Sequence, residues 1–275
     1  MLELYQNNPA VQAAVQGGLV PFVVAVIVAA VLNRSRFMWL AIVAGYAAQV
    51  ALATGFSFSP LSASRKILLL ALLAPLVGIA ADMVAARTRS TGYVTAALAG
   101  AAAVWVFITI LGQKEGSQAW IAGAGIALFA FAMTALLVSL RDDALRTGAA
   151  ALGLGLATGI TALMSASVGF MTSGIAVAAS AGALLLVWVV NSRPVAPGLL
   201  GTLTIGVMIA LFSEGSLMLA KLPWYALVSL LLVPIAVRLP APASASVFAR
   251  TFVLCLYALV AALIPIAAVW FAPGG

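Results

Sequence analysis

Residues 119–140 read AWIAGAGIALFAFAMTALLVSL, an unbroken stretch without Asp, Glu, Lys or Arg. Wound as a helix at about 1.5 Å per residue, a run of this length matches the roughly 30 Å hydrocarbon core of a bilayer. Lipid offers no hydrogen-bonding partner to a peptide group, so a spanning segment satisfies its backbone internally, as a helix does. The same pattern repeats on both sides. Spans are expected at 9–32, 37–54, 67–86, 93–111, 119–140, 147–167, 174–190, 198–213, 222–238 and 248–271, separated by short polar loops. The expected fold is an all-α polytopic integral membrane protein: one transmembrane domain over 1–275, a bundle of about ten helices. Ten spans can also divide into two five-helix halves of opposite orientation, an arrangement many carriers use, although no sequence match joins the halves. Whether 161–180 and 198–213 cross fully stays open at this level.

Composition supports the reading. The 275 residues are 65% hydrophobic and 7% charged, with a mean hydropathy of +1.23. A soluble domain is about a quarter charged. Several function classes lose their usual residues. The chain has no histidine, hence no usual haem ligand, zinc ligand or general base. Its one cysteine, Cys255, lies inside the last run and cannot form an internal disulfide. Neither a metal, a cofactor nor a catalytic group is expected. The net charge of +7 comes from basic residues placed singly or in pairs at span ends, which is an orientation signal rather than a nucleic-acid footprint.

Loops after odd spans hold nine basic residues: Arg34, Arg36, Arg87, Arg89, Arg141, Arg146, Arg193, Arg238 and Arg250. Loops after even spans hold four: Arg65, Lys66, Lys114 and Lys221. The positive-inside rule then places the odd loops in the cytoplasm and both termini outside, in a bacterial-type inner membrane. Met1 to Pro9 carries no Lys or Arg, so the first run reads as a retained span and not as a cleavable signal. Trp39, Trp120, Trp188, Trp224 and Trp270 fall near span ends, where indole suits the headgroup region. Trp105 lies deeper and is expected between helices.

Helices associate in lipid through close contact at small residues. Gly155 and Gly159 form a GxxxG pair in the sixth span, and Gly100 follows Ala96 at the same spacing in the fourth; all three are expected packing positions. Pro21, Pro75, Pro234 and Pro265 interrupt spans one, three, nine and ten.

Polar residues inside spans are the candidate pathway. Asp82 is read as the one acid clearly within the membrane. It either reaches Arg87 at the cytoplasmic interface or forms a proton or cation site. Tyr46 and Gln49 share a face of span two, as Gln12 and Gln16 do in span one. The densest polar patch, Thr161, Ser165, Ser167, Thr172, Ser173 and Ser180, joins spans six and seven without a charge. It reads either as a re-entrant segment lining a cavity or as a hairpin whose hydroxyls bond back to their own helices. Glu214 is expected as a solvated acid just beyond span eight, and Asp142 as a partner for Arg146. From these residues the leading expectation is a small-solute transporter or permease with substrate unspecified. A membrane-embedded scaffold or accessory subunit is the alternative, and an intramembrane enzyme on a lipid-linked substrate is third. Expected partners are the lipid bilayer and either other membrane subunits or further copies of the chain, and not nucleic acid.

Overall fold

The computed structural model describes residues 8–56, 59–85, 90–242 and 245–272, which form helices and no strand. The long helices are α1 (Pro9–Val31), α2 (Arg36–Ala53), α3 (Ala63–Ala85), α4 (Thr91–Leu111), α5 (Gly116–Val138), α6 (Ala144–Met164), α7 (Val168–Asn191) and α8 (Gly198–Leu219). Two short helices follow, α9 (Trp224–Ser229) and α10 (Leu232–Ala236), and then the long α11 (Val247–Trp270). Among the described residues, nine helices are long and apolar enough to cross a membrane. The chain is an integral membrane protein of the multi-pass helical kind.

The expected ninth span, 222–238, is not one helix. Pro234 lacks the N–H that would bond to the Leu230 carbonyl, and its ring would press on that oxygen. The helix breaks there, and Val233 N donates to Leu230 O in a tighter turn instead. The broken pair still runs the length of the bundle. Leu222 N bonds to Ser216 O near the end of α8, whereas Val237 O accepts from Arg146 at the start of α6. Proline acts more gently in α1, where a π-helical stretch at Val15–Leu19 precedes Pro21 and absorbs the missing donor.

Two bundle ends can be told apart. At the arginine-rich end, Trp39 Nε1 donates to Val195 O at 2.9 Å, and Gly198 N donates to Arg141 O at 3.0 Å. The opposite end carries the turns after α2, α4, α6 and α8. Between them α8 is central: it packs on α3, α4, α5, α6, α7 and α9 and is buried on all sides, as a helix apolar all round should be. Small residues set the closest approach. A methyl built on Gly155 would lie 2.6 Å from Ala178 N, and one on Gly174 would lie 2.6 Å from Gly159 N. Backbone therefore touches backbone between α6 and α7. Gly100 faces Ala127 O of α5 in the same way, at 2.7 Å from such a methyl. At the far end of the chain α11 packs along α6.

The tryptophans divide differently from their expectation. Trp120, Trp224 and Trp270 are exposed. Trp39 and Trp188 are buried with ring centroids 5.1 Å apart, because each indole N–H has an internal acceptor: Val195 O for Trp39, Met38 Sδ for Trp188. Trp105 is 41% exposed and not enclosed; the Lys66 ammonium sits 4.7 Å from its ring centroid.

Candidate functional site

A cavity of about 420 Å³ opens at the end opposite the arginine-rich one, between α2, α3, α7 and α8. Its floor is reached at Tyr46, seven residues before the end of α2, or about 10 Å of helix rise. Tyr46 packs its ring against Phe212 of α8, with centroids 5.2 Å apart. One turn nearer the mouth, Gln49 Nε2 donates to Thr172 Oγ1 at 3.1 Å, bridging α2 and α7. The Thr172 hydroxyl donates in turn to Gly169 O at 3.0 Å. That chain of bonds fixes which way the amide faces. Its oxygen, Oε1, is buried and has no partner among the described residues. Phe170 adds an aromatic wall, its ring seated where Gly215 of α8 leaves room.

Five of the expected pathway residues meet in this cavity: Tyr46, Gln49, Ser167, Thr172 and Ser173. Thr161, Ser165, Ser180 and Asp82 lie elsewhere. Thr161 Oγ1 bonds to Ala157 O, Ser165 Oγ to Thr161 O and Ser180 Oγ to Ala176 O, each to its own helix. The region 161–180 is therefore an ordinary hairpin with back-bonded hydroxyls and not a re-entrant segment, since α6 runs to Met164 and α7 begins at Val168.

Asp82 has another function in the fold. Its carboxylate accepts from Leu199 N at 2.7 Å and from Leu200 N at 3.0 Å, so it caps the first turn of α8 from a neighbouring helix. Gly198 makes the approach feasible. Its φ is +59°, and a methyl there would lie 2.8 Å from an Asp82 oxygen. Arg87 and Arg89, its expected interface partners, lie outside the described residues.

Glu214 overturns its expected place. α8 continues to Leu219, so Glu214 is inside the helix, with 0% exposure and neither carboxyl oxygen hydrogen-bonded among the described residues. Asp82 is therefore not the one acid within a span, and Glu214 is the one without a hydrogen-bond partner among the described residues. Asp143, and not Asp142, pairs with Arg146, at 3.0 Å, while Asp142 lies 3.8 Å from Arg141.

Arg65, Phe170 and Phe212 also line the cavity, and none of them carries a polar-in-span signal in the sequence. Arg65 had been placed in a loop because span three was expected to start at 67. The helix begins at Ala63, which brings Arg65 onto the cavity wall and buries the Lys66 side chain, whose Nζ donates to Trp105 O at 3.3 Å. Among the described residues no group of three or more acidic, histidine or cysteine side chains converges on a metal position. No protein-family model and no curated protein matches this chain.

Proposed function

We propose that this chain is a small-solute carrier that receives its substrate in the cavity between α2, α3, α7 and α8. The supporting observation is an opening of about 420 Å³ in an otherwise apolar bundle, walled by Tyr46, Gln49 and Thr172, where the buried Gln49 amide oxygen has no partner among the described residues. Binding sites are commonly concave, largely apolar and furnished with a few oriented polar groups. A purely structural bundle gains nothing from leaving an acceptor unsatisfied, at a cost of about 1–3 kcal/mol.

The broken α9–α10 passage supports the same reading, because carriers use interrupted helices as moving parts. Under the positive-inside rule the cavity faces outward, in an inner-membrane orientation with both termini outside. A carrier must present the same cavity alternately to both sides, and a scaffold or accessory subunit need not. Single cysteines at Ser64, on the mouth, and at Ser173, deeper in the wall, would be placed in a Cys255→Ala background. After reconstitution in sealed vesicles they are treated with a membrane-impermeant maleimide from either side. Labelling of Ser173→Cys from both faces, with Ser64→Cys reached from one, is the expected result. Ser173→Cys labelled from a single face under every condition would exclude the carrier.

A further inference from the structure

We infer that the cavity binds a small organic anion whose acidic group meets Arg65 and whose neighbouring N–H or O–H donates to Gln49 Oε1. The inference deepens the carrier reading and rests on it. The first observation is electrostatic. Among the described residues, Arg65 is the one charged residue on the cavity wall, and no acid lines it. Its guanidinium gives Nη1 to Pro60 O at 2.8 Å, which anchors the side chain at the mouth, and it makes no ion pair among the described residues. A guanidinium presents several N–H donors in a planar fork, so carboxylate or phosphate can still bind the remaining edge.

The second observation is independent of the charge. Gln49 is 97% buried, and its Nε2 is committed to Thr172 Oγ1. The Thr172 proton is in turn committed to Gly169 O, so the amide cannot flip without losing a bond. What remains for a ligand is an acceptor, Oε1. A cationic ligand is disfavoured by Arg65, and a purely apolar one would leave Oε1 unsatisfied. The rings of Tyr46, Phe170 and Phe212 complete the wall and suit an apolar or aromatic body. The chemistry required is thus an anionic group, a hydrogen-bond donor and an apolar remainder. A dissolved hydroxy acid has it; so does the headgroup of an anionic phospholipid such as phosphatidylglycerol.

Mandelate carries all three features and serves as the probe. The full chain is placed in phosphatidylcholine nanodiscs, and binding of mandelate, mandelamide and phenylacetate is measured by equilibrium dialysis. Mandelate should bind at least about tenfold more tightly than neutral mandelamide, a difference of about 1.4 kcal/mol. Arg65→Gln should erase that preference. Gln49→Leu should weaken mandelate but leave phenylacetate, which lacks the hydroxyl, nearly unchanged. The lipid arm measures phosphatidylglycerol retained through purification by mass spectrometry. Retention that falls in both Arg65→Gln and Gln49→Leu assigns the anion to a lipid. Equal binding of mandelate and mandelamide, together with lipid retention indifferent to both substitutions, overturns the inference. The labelling of Ser173→Cys from two faces is read separately, so anion binding and alternating access can fail independently.

Discussion

At the first turn of α8 the Asp82 carboxylate is shared between two backbone N–H groups, at 2.7 and 3.0 Å. Near the last turn of the same helix, Glu214 is fully enclosed and neither oxygen has a partner among the described residues. The first acid completes the structure. A helix N-terminus has donors without intrahelical acceptors and a partial positive charge, and a carboxylate satisfies both. The second acid has no partner among the described residues that would offset an ionised charge, so it weakens the bundle or serves something other than stability. An intramembrane acid is thus not informative by its presence. Its partner decides what it does.

The largest effect should come from the position that lets Asp82 approach. Gly198→Val places a side chain at φ +59° and against the carboxylate. Left-handed strain costs about 1–2 kcal/mol, and losing hydrogen bonds to a charged acceptor adds about 1.5–3 kcal/mol. Chemical unfolding in detergent should therefore show a loss of about 3 kcal/mol or more. A variant as stable as the parent would mean that Asp82 does not cap α8.

Asp82→Ala comes next, with a loss of about 2–3 kcal/mol by the same measurement, and Asp82→Asn about half of that because one acceptor oxygen survives. Combined with Gly198→Val it should cost clearly less than the sum, since both act on one contact. Full additivity would separate the two residues and dissolve the proposed cap.

Glu214→Met should have the smallest effect and the opposite sign. Replacing an unpartnered buried polar group with an apolar one of similar size is neutral or stabilising, here by up to about 1–2 kcal/mol. A loss comparable to that of Asp82→Ala would reveal a partner for Glu214 and erase the contrast between the two ends.

How much of this was legible beforehand depends on the kind of signal. Nine of the ten expected spans correspond to single long helices whose ends shift by no more than about six residues, within the usual uncertainty of helix limits or a little beyond it. The shifts matter more than their size suggests. Moving the start of α3 from 67 to 63 put Arg65 on the cavity wall, and extending α8 from 213 to 219 enclosed Glu214. Both expected ends fall at a charge, because in an isolated helix a charge marks the membrane boundary. A helix surrounded by other helices need not stop there. Tyr46 and Gln49 were legible as a pair from their spacing on one helix, but the hydroxyls of Thr161 and Ser180 gave the same signal and are consumed by their own backbones.

The sequence by itself determined that this chain lives in a membrane, that it is helical, and roughly where its helices run, because the need to satisfy every peptide group in lipid is local and leaves its mark in each apolar run. It also marked the close contacts, since only small residues let two backbones touch. Tertiary structure alone decided the use of each polar group. Asp82 and Glu214 differ by one methylene, yet one faces a helix terminus brought from more than a hundred residues away and the other meets no partner among the described residues. Which partner a buried polar atom meets is a property of how helices cross, and no single helix carries that information.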